Sequence, residues 1–356
     1  MRLLICAGGT GGGVYPALTV TEELDKNQHQ VLWVGSQGGM EADLVARAGL
    51  EFRAIQAAGV HGVSPTKLPS NLAKLVQGYQ QSKKILKEFQ PDVLFFTGGY
   101  VAIPMALAGR KYRSLLYVPD IEPGLALKTL ARFSDQIALT TPESKKWFSE
   151  KMNMTVTGYP LRDEIKKWEK TEAQAYFGLD PKLPTILFMG GSSGARSINQ
   201  AVLSILPELL EKYQVIHLSG HLDWETIQAA TINAGDHYHP FPYLHEVGAA
   251  MAAADLAVSR AGASTLGEYP YFGLPAILVP YPYAWRYQKV NADYLVERGA
   301  AVLLRDEDLK SDLLTVINDL LANPAYLAHM SRSMSALSQP MAAERISELL
   351  YEMTEA

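Results

Sequence analysis

Cysteine is almost absent: Cys6 is the only one in 356 residues. No intramolecular disulfide, iron–sulfur cluster or thiolate zinc site can form from a single thiol, and a reducing, cytoplasmic setting fits. Charge of one sign is also scarce, with 32 Lys and Arg against 37 Asp and Glu for a net charge of −5. That mild acidity argues against wholesale nucleic-acid binding, which shows as a strongly basic domain or stripe. Long apolar runs are missing too. The N-terminal run from Met1 to Ala7 passes straight into glycines and is too short for a signal peptide. The longest uncharged stretch, Val93 to Gly109, is broken by Gly98-Gly99 and Pro104 and falls short of a membrane span. It reads as a strand, a loop and the start of a helix. No tandem repeat, low-complexity tract or His-Glu-x-x-His pattern occurs, and His237 and His239, though close, have no further ligands beside them. Neither a metal nor a cofactor is expected.

What is present is a globular composition, 48% hydrophobic and 19% charged, in a chain long enough for about two domains. Two segments open alike. Leu3-Leu4-Ile5-Cys6-Ala7 runs into Gly8-Gly9-Thr10-Gly11-Gly12-Gly13, and Thr185-Ile186-Leu187-Phe188-Met189 into Gly190-Gly191-Ser192-Ser193-Gly194. Each is an apolar run, then glycines with a hydroxyl residue, then an amphipathic helix (Ala17 to Leu24; Ser197 to Leu210), so each predicts a strand, turn and helix. Further apolar runs at 31–34, 93–96, 115–118 and 136–139 in the first half, and 215–218, 256–258 and 276–279 in the second, predict parallel strands between helices. The fold class is therefore α/β, in two similar halves, with the polar stretch from Asp163 to Pro184 as the linker. The terminal helix from Ala342 to Glu352 fits either half.

A glycine loop that turns backbone N–H groups toward a helix N-terminus suits an anion, because the unpaired donors and the helix dipole point the same way. Neither loop is followed by the lysine of a nucleotide-hydrolase phosphate loop. The dinucleotide fingerprint also fails: its third small residue would fall on Val14, and the second strand ends in Gly35 rather than an acid. The segment from Ser259 to Glu268 carries small residues and one acid. A carboxylate there can grip two adjacent hydroxyls of a ribose or sugar; equally, Ser264 can cap a helix with Glu268 in solvent. Both readings stand on the residues alone.

Five ordered motifs narrow the field: Gly8-Gly9-Thr10-Gly11-Gly12, Gly98-Gly99-Tyr100-Val101, Gly158-Tyr159-Pro160-Leu161-Arg162, Gly190 to Arg196, and Ala263-Ser264-Thr265-Leu266-Gly267-Glu268. Together they resemble the MurG family, N-acetylglucosaminyltransferases of peptidoglycan lipid II synthesis, over nearly the whole chain. The resemblance implies a GT-B fold, two Rossmann-like domains with parallel sheets facing a cleft. Residues 1–162 would be the acceptor and membrane side, with 340–356 packing back on them, and 163–339 would hold UDP-N-acetylglucosamine. By the same resemblance, Gly191, Ser192 and Arg162 would meet the diphosphate, Leu244 the uracil, Glu268 the ribose and Gln288 the transferred sugar. Ala263, Ser264, Thr265, Leu266 and Gly267 would complete the donor site, and Thr10, Gly11 and Gly12 would face the reacting groups. The partners implied are UDP-N-acetylglucosamine and a lipid-linked acceptor, and the protein would be cytoplasmic and peripheral on the membrane.

The chain departs from the family where chemistry is concentrated. Gly13 stands in place of the usual His, and the family's His-Glu-Gln-Asn aligns with Tyr117-Val118-Pro119-Asp120. An inverting transfer needs a base for the acceptor hydroxyl, and Asp120 and Glu122, just past a strand end, are the candidates. Two other readings therefore stay open: the same fold with another acceptor, or a UDP-sugar-binding protein without turnover. Between Ser64 and Gln90, five lysines (67, 74, 83, 84 and 87) interleave with Leu68, Leu72, Leu75, Val76, Tyr79, Ile85, Leu86 and Phe89 against one acid, Glu88. Such a stretch either docks on an anionic membrane or is an amphipathic helix with a core stripe. The alternation Tyr281, Tyr283, Trp285, Tyr287 reads as a packed extended loop or as a stacking wall.

Overall fold

The computed structural model describes residues 1–355 other than 9, 10, 25–27, 40, 60–63, 65 and 192, with backbone alone at 11 and 284–286. The chain divides into two compact units, Met1–Pro160 together with Pro340–Ala356, and Leu161–Gln339. In the first, seven strands lie in one sheet: β1 (Arg2–Ala7), β2 (Gln30–Ser36), β3 (Glu51–Ile55), β4 (Val93–Gly98), β5 (Arg113–Val118), β6 (Gln136–Leu139) and β7 (Asn153–Val156). Their order is β3-β2-β1-β4-β5-β6-β7, all parallel, with Leu4 opposite both Leu32 and Leu94.

The two-residue period of a strand sorts these apolar runs onto opposite faces. Leu4, Cys6, Leu32, Val34, Leu94, Phe96, Leu116 and Val118 pack beneath Ile85, Leu86 and Phe89 of the helix Leu68–Phe89 and Met105 of the helix Ala102–Ala108. Leu3, Ile5, Trp33, Val93, Phe95, Leu115 and Tyr117 pack under the helix Gly11–Glu22 and the terminal helix Ala342–Glu355. A sheet covered on both faces is why these runs are continuously apolar instead of alternating with polar residues.

In the second unit β8 (Thr185–Met189), β9 (Gln214–Leu218), β10 (Tyr238–Phe241), β11 (Leu256–Ser259), β12 (Ala276–Leu278) and β13 (Ala301–Leu303) form a parallel sheet in the order β10-β9-β8-β11-β12-β13. Helices Arg196–Leu210 and Leu309–Leu321 close one face over Ile186, Phe188, Val215, Val258 and Ile277. The stretch Asp163 to Pro184 is not the linker expected from its polarity. It holds helices Asp163–Lys166 and Lys170–Phe177, and the second buries Ala173 and Phe177 and ends on a left-handed Gly178. Trp168 Nε1 donates to Glu246 Oε2 at 3.1 Å and Lys170 pairs with Asp255 at 2.5 Å, so the segment is packed into this unit.

Both sheets reverse their winding once, between β1 and β4 in the first unit and between β8 and β11 in the second. In open parallel sheets the loops at the carboxyl ends of such neighbours part and leave a crevice for ligands. The two glycine openings of the sequence follow β1 and β8.

Candidate active site

In the second unit, the loops after β8, β11 and β12 border a cavity of about 760 Å³, lined by Gly190, Gly191, Ser264, Thr265, Glu268 and Gln288 among others. The loop after β8 must be glycine-rich for steric reasons. Gly194 has φ +77°, and a Cβ on it would run into the Ser219 carbonyl. The tight turn delivers the chain into a helix of 15 residues whose N-cap, Ala195, offers no side-chain acceptor. With no cap from Ala195, the first N–H groups of the helix suit an anion in the cavity, the helix dipole adding to their pull.

A polar chain fixes that helix end. Arg196 Nε donates to Asp223 Oδ1 at 3.0 Å, Asn199 Nδ2 donates to Asp223 Oδ2 at 2.9 Å, and Asn199 Oδ1 lies 3.0 Å from His217 Nε2. His217 is fully buried on β9 with its other nitrogen 2.7 Å from the Tyr238 hydroxyl. Burial lowers its pKa to about 4, so the ring is neutral at pH 7 and serves as structure.

Glu268 opens the short helix Glu268–Phe272 and is only 9% exposed. Burial raises its pKa, while the Arg162 charge and a hydrogen bond from Ser264 hold it down. The carboxylate is thus held in the cavity wall, with Ser264 as its partner, not in open solvent as the capping alternative required. Gln288 Oε1 accepts the Tyr281 N–H at 2.8 Å, which leaves its amide group to donate. Arg162 and Leu244 do not line this cavity, nor do Ala263, Leu266 and Gly267 of the turn that carries Ser264 and Thr265. Ser192 lies outside the described residues.

Sequence reasoning missed one group. Arg260, 10% exposed, pairs with Asp306 at 2.5 Å, and donates to Ser197 Oγ at 2.8 Å and the Val279 carbonyl at 3.1 Å. Arg260 follows β11 directly, a strand-end position that could have flagged it. Asp306, in the run Asp306-Glu307-Asp308, reads in sequence as a solvated acidic turn.

In the first unit, Gly11 and Gly12 begin the helix Gly11–Glu22, and Thr10 lies outside the described residues. The loops after β1 and β4 touch: a Cβ on Gly99, φ +85°, would collide with the Gly8 carbonyl. Gly13, where the family's His is expected, is tightly packed, so that a larger residue would require its neighbour to give by a few tenths of an ångström. A Cβ there would stand 3.0 Å from the Thr97 carbonyl, and Thr97 Oγ1 donates to the Gly13 carbonyl at 2.6 Å. Tyr117, in the other His position, is fully buried with its hydroxyl 2.8 Å from Thr140 Oγ1. Asp120 is half-buried just past β5. Glu122 is 2% exposed with Lys128 Nζ 3.6 Å from its Oε1, and that ammonium lies over the Trp147 ring at 4.6 Å.

Two doubly wound α/β units, each with a glycine loop at its switch point and one with a cavity at a helix N-terminus, define a two-domain nucleotide-sugar transferase of the GT-B class. The model of the glycosyltransferase family 28 N-terminal domain matches residues 3–139 and that of the family 28 C-terminal domain residues 185–346, and the chain belongs to this family. It is 38% identical, over 98% of its length and 94% of the relative's, to the UDP-N-acetylglucosamine--N-acetylmuramyl-(pentapeptide) pyrophosphoryl-undecaprenol N-acetylglucosamine transferase of Roseiflexus sp. (strain RS-1). The enzyme of that name from Desulforamulus reducens is 39% identical, with 97% of each chain covered. The crystal structure of Acinetobacter baumannii MurG superposes with a TM-score of 0.79 at 25% identity, covering 99% of both chains.

Proposed function

We propose that this chain transfers N-acetylglucosamine from UDP-N-acetylglucosamine to undecaprenyl-pyrophosphoryl-N-acetylmuramoyl-pentapeptide with inversion, turning lipid I into lipid II. The observation that carries the reading is the 38% identity, over 98% of the chain, to a relative named for this transfer. The donor belongs to the unit Leu161–Gln339 and the acceptor to the unit that begins at Met1. The diphosphate sits on the loop Gly190–Ala195 at the helix N-terminus, with Ser192 and the planar fork of Arg162 as further donors. Leu244 meets the uracil, Glu268 accepts from the ribose hydroxyls, and Gln288 donates to the sugar. The turn from Ala263 to Gly267 closes the donor site through its backbone, and Thr10, Gly11 and Gly12 face the acceptor.

Transfer then needs in-line attack, removal of the acceptor's proton, and stabilisation of the charge on departing UDP. The last falls to the helix N-terminus and Arg162. We assign the base to Asp120: it is half-buried, whereas Glu122 is 2% exposed against Lys128. Glu122 holds the loop instead. No metal or cofactor enters this step, and no nucleic acid is involved.

Incubating the purified protein with UDP-N-acetylglucosamine and lipid I should release UDP and give a product with inverted anomeric configuration by NMR. Release only with another acceptor would reassign the acceptor, and UDP binding without turnover on any acceptor would leave a binding protein. Asp120→Asn should lower kcat about 10²- to 10⁴-fold with donor affinity unchanged. Normal turnover in that variant would remove the assignment.

A lipid-linked acceptor requires the enzyme to reach the bilayer, and we place it on the cytoplasmic face through the helix Leu68–Phe89. Its last turns bury Ile85, Leu86 and Phe89, while Leu68, Leu72, Val76 and Tyr79 before them are 38–58% exposed. Among the described residues no helix is long and apolar enough to cross a membrane, so contact would be at the surface.

A further inference from the structure

We propose that Tyr281 and Tyr283 form an aromatic wall that receives the sugar ring of the donor and sets the preference of this site for it; the inference rests on the donor-site reading above. The two residues follow β12, Tyr281 between Pro280 and Pro282 and Tyr283 just after them, and both line the cavity. Their ring centroids are 5.4 Å apart and the planes are inclined at 58°, making an open corner. Tyr283 is 91% exposed and Tyr281 42%, so the corner is not the packed loop that the alternation first suggested. Packing holds Tyr281 and leaves Tyr283 unburied.

The corner is stiff on the Tyr281 side. The Arg260 guanidinium lies over the Tyr281 ring at 5.2 Å. It is held there by Asp306, Ser197 Oγ and the Val279 carbonyl. A cation over one face of a ring restrains its tilt, and 42% of Tyr281 stays exposed to the cavity side or solvent. The backbone of Tyr281 in turn fixes the Gln288 side chain by donating to its Oε1 at 2.8 Å. Amide donors from Gln288 and an aromatic corner therefore line the same cavity as Glu268, which takes the ribose.

That set matches a pyranose, which shows an apolar C–H face for an aromatic ring and a rim of hydroxyls for polar partners. A uracil would also stack on tyrosine. Leu244, the uracil position implied by the resemblance, does not line this cavity, which leaves the wall to the sugar.

The test is calorimetric titration of the full-length protein, wild type, Tyr283→Ala and Tyr283→Phe, with UDP-N-acetylglucosamine and with UDP. A ring as exposed as Tyr283 contributes little to the fold, so the alanine variant should remain folded. We expect Tyr283→Ala to weaken UDP-N-acetylglucosamine about tenfold and UDP less than twofold, with Tyr283→Phe close to wild type. Equal losses for both ligands would put the wall on the nucleotide, and no loss for the sugar nucleotide would remove it from the site; either result overturns the proposal. Failure of the wild type itself to bind UDP-N-acetylglucosamine would overturn the reading of function, and this one with it.

Discussion

His217 is the residue where burial and charge compete most openly. Its two ring nitrogens are partnered by Asn199 and Tyr238 in the core, and burial pulls its pKa from 6.5 to about 4. Below pH 6.5 the unfolded chain takes up a proton that the folded chain refuses, so stability falls as pH drops and the loss is complete near pH 4. Two and a half pKa units correspond to about 3 kcal/mol. Chemical denaturation of the protein between pH 7 and pH 4 should show that loss, and His217→Gln, though less stable at pH 7, should flatten the slope over this window. An unchanged slope in the variant would assign the loss to other groups. Part of the cavity lining was legible at this scale, because Gly191, Ser264, Thr265 and Glu268 belong to motifs short enough to read, while Gln288 came from the family resemblance alone. Arg260 and Asp306 were not, since a pair 46 residues apart becomes a pair only when the chain beyond β11 and beyond β13 meets at the same end of the sheet, across β12.

Elements were legible where both faces are buried. The interior strands β1, β2, β4, β5 and β6, with β8, β9, β11 and β12, all coincide with the apolar runs read as strands, whereas β3, β7 and β10 are polar or mixed and β13, though apolar, is only three residues long. These four are the edges of the two sheets. An edge strand has one neighbour and less cover, so Glu51-Phe52-Arg53-Ala54-Ile55 tolerates charge and Tyr238-His239-Pro240-Phe241 tolerates a proline that an interior ladder would reject. The helix Leu68–Phe89 shows the same logic within one element. Its sequence could be a core stripe or a docking face, and the structure divides it, with core in the last turns and exposed Leu72 and Val76 in the first. Exposed lysines 67, 74, 83, 84 and 87 flank that face, each worth roughly 1 kcal/mol beside an anionic surface. The double variant Leu72→Asp, Val76→Asp should keep its melting temperature, because neither side chain is in the core, and lose at least tenfold in co-sedimentation with anionic vesicles at low salt. Equal sedimentation of wild type and variant would remove this helix as the docking element.

At the scale of the whole molecule, the chain leaves its first unit at Pro160 and comes back to it at Pro340. The terminal helix Ala342–Glu355 inserts Ile346, Leu349, Leu350 and Met353 into the core face formed by Leu3, Ile5, Trp33 and Val93. Tyr351 adds a hydrogen bond to His29 at 2.9 Å. Four such side chains contribute about 1.5–3 kcal/mol each when buried. Their sum is comparable with the entire stability of an ordinary domain, about 5–15 kcal/mol. Removing residues 340–356 should therefore unfold the first unit and spare the second, whose sheet, helices and cavity all fall between Leu161 and Gln339. The truncated protein should lose roughly half of its helical and strand signal by circular dichroism, yet still bind UDP through the loop at Gly190–Ala195 in a titration. Two outcomes would contradict this: a truncated chain that keeps its full signal would make the helix dispensable, and one that loses UDP binding as well would mean that the second unit does not fold without the first.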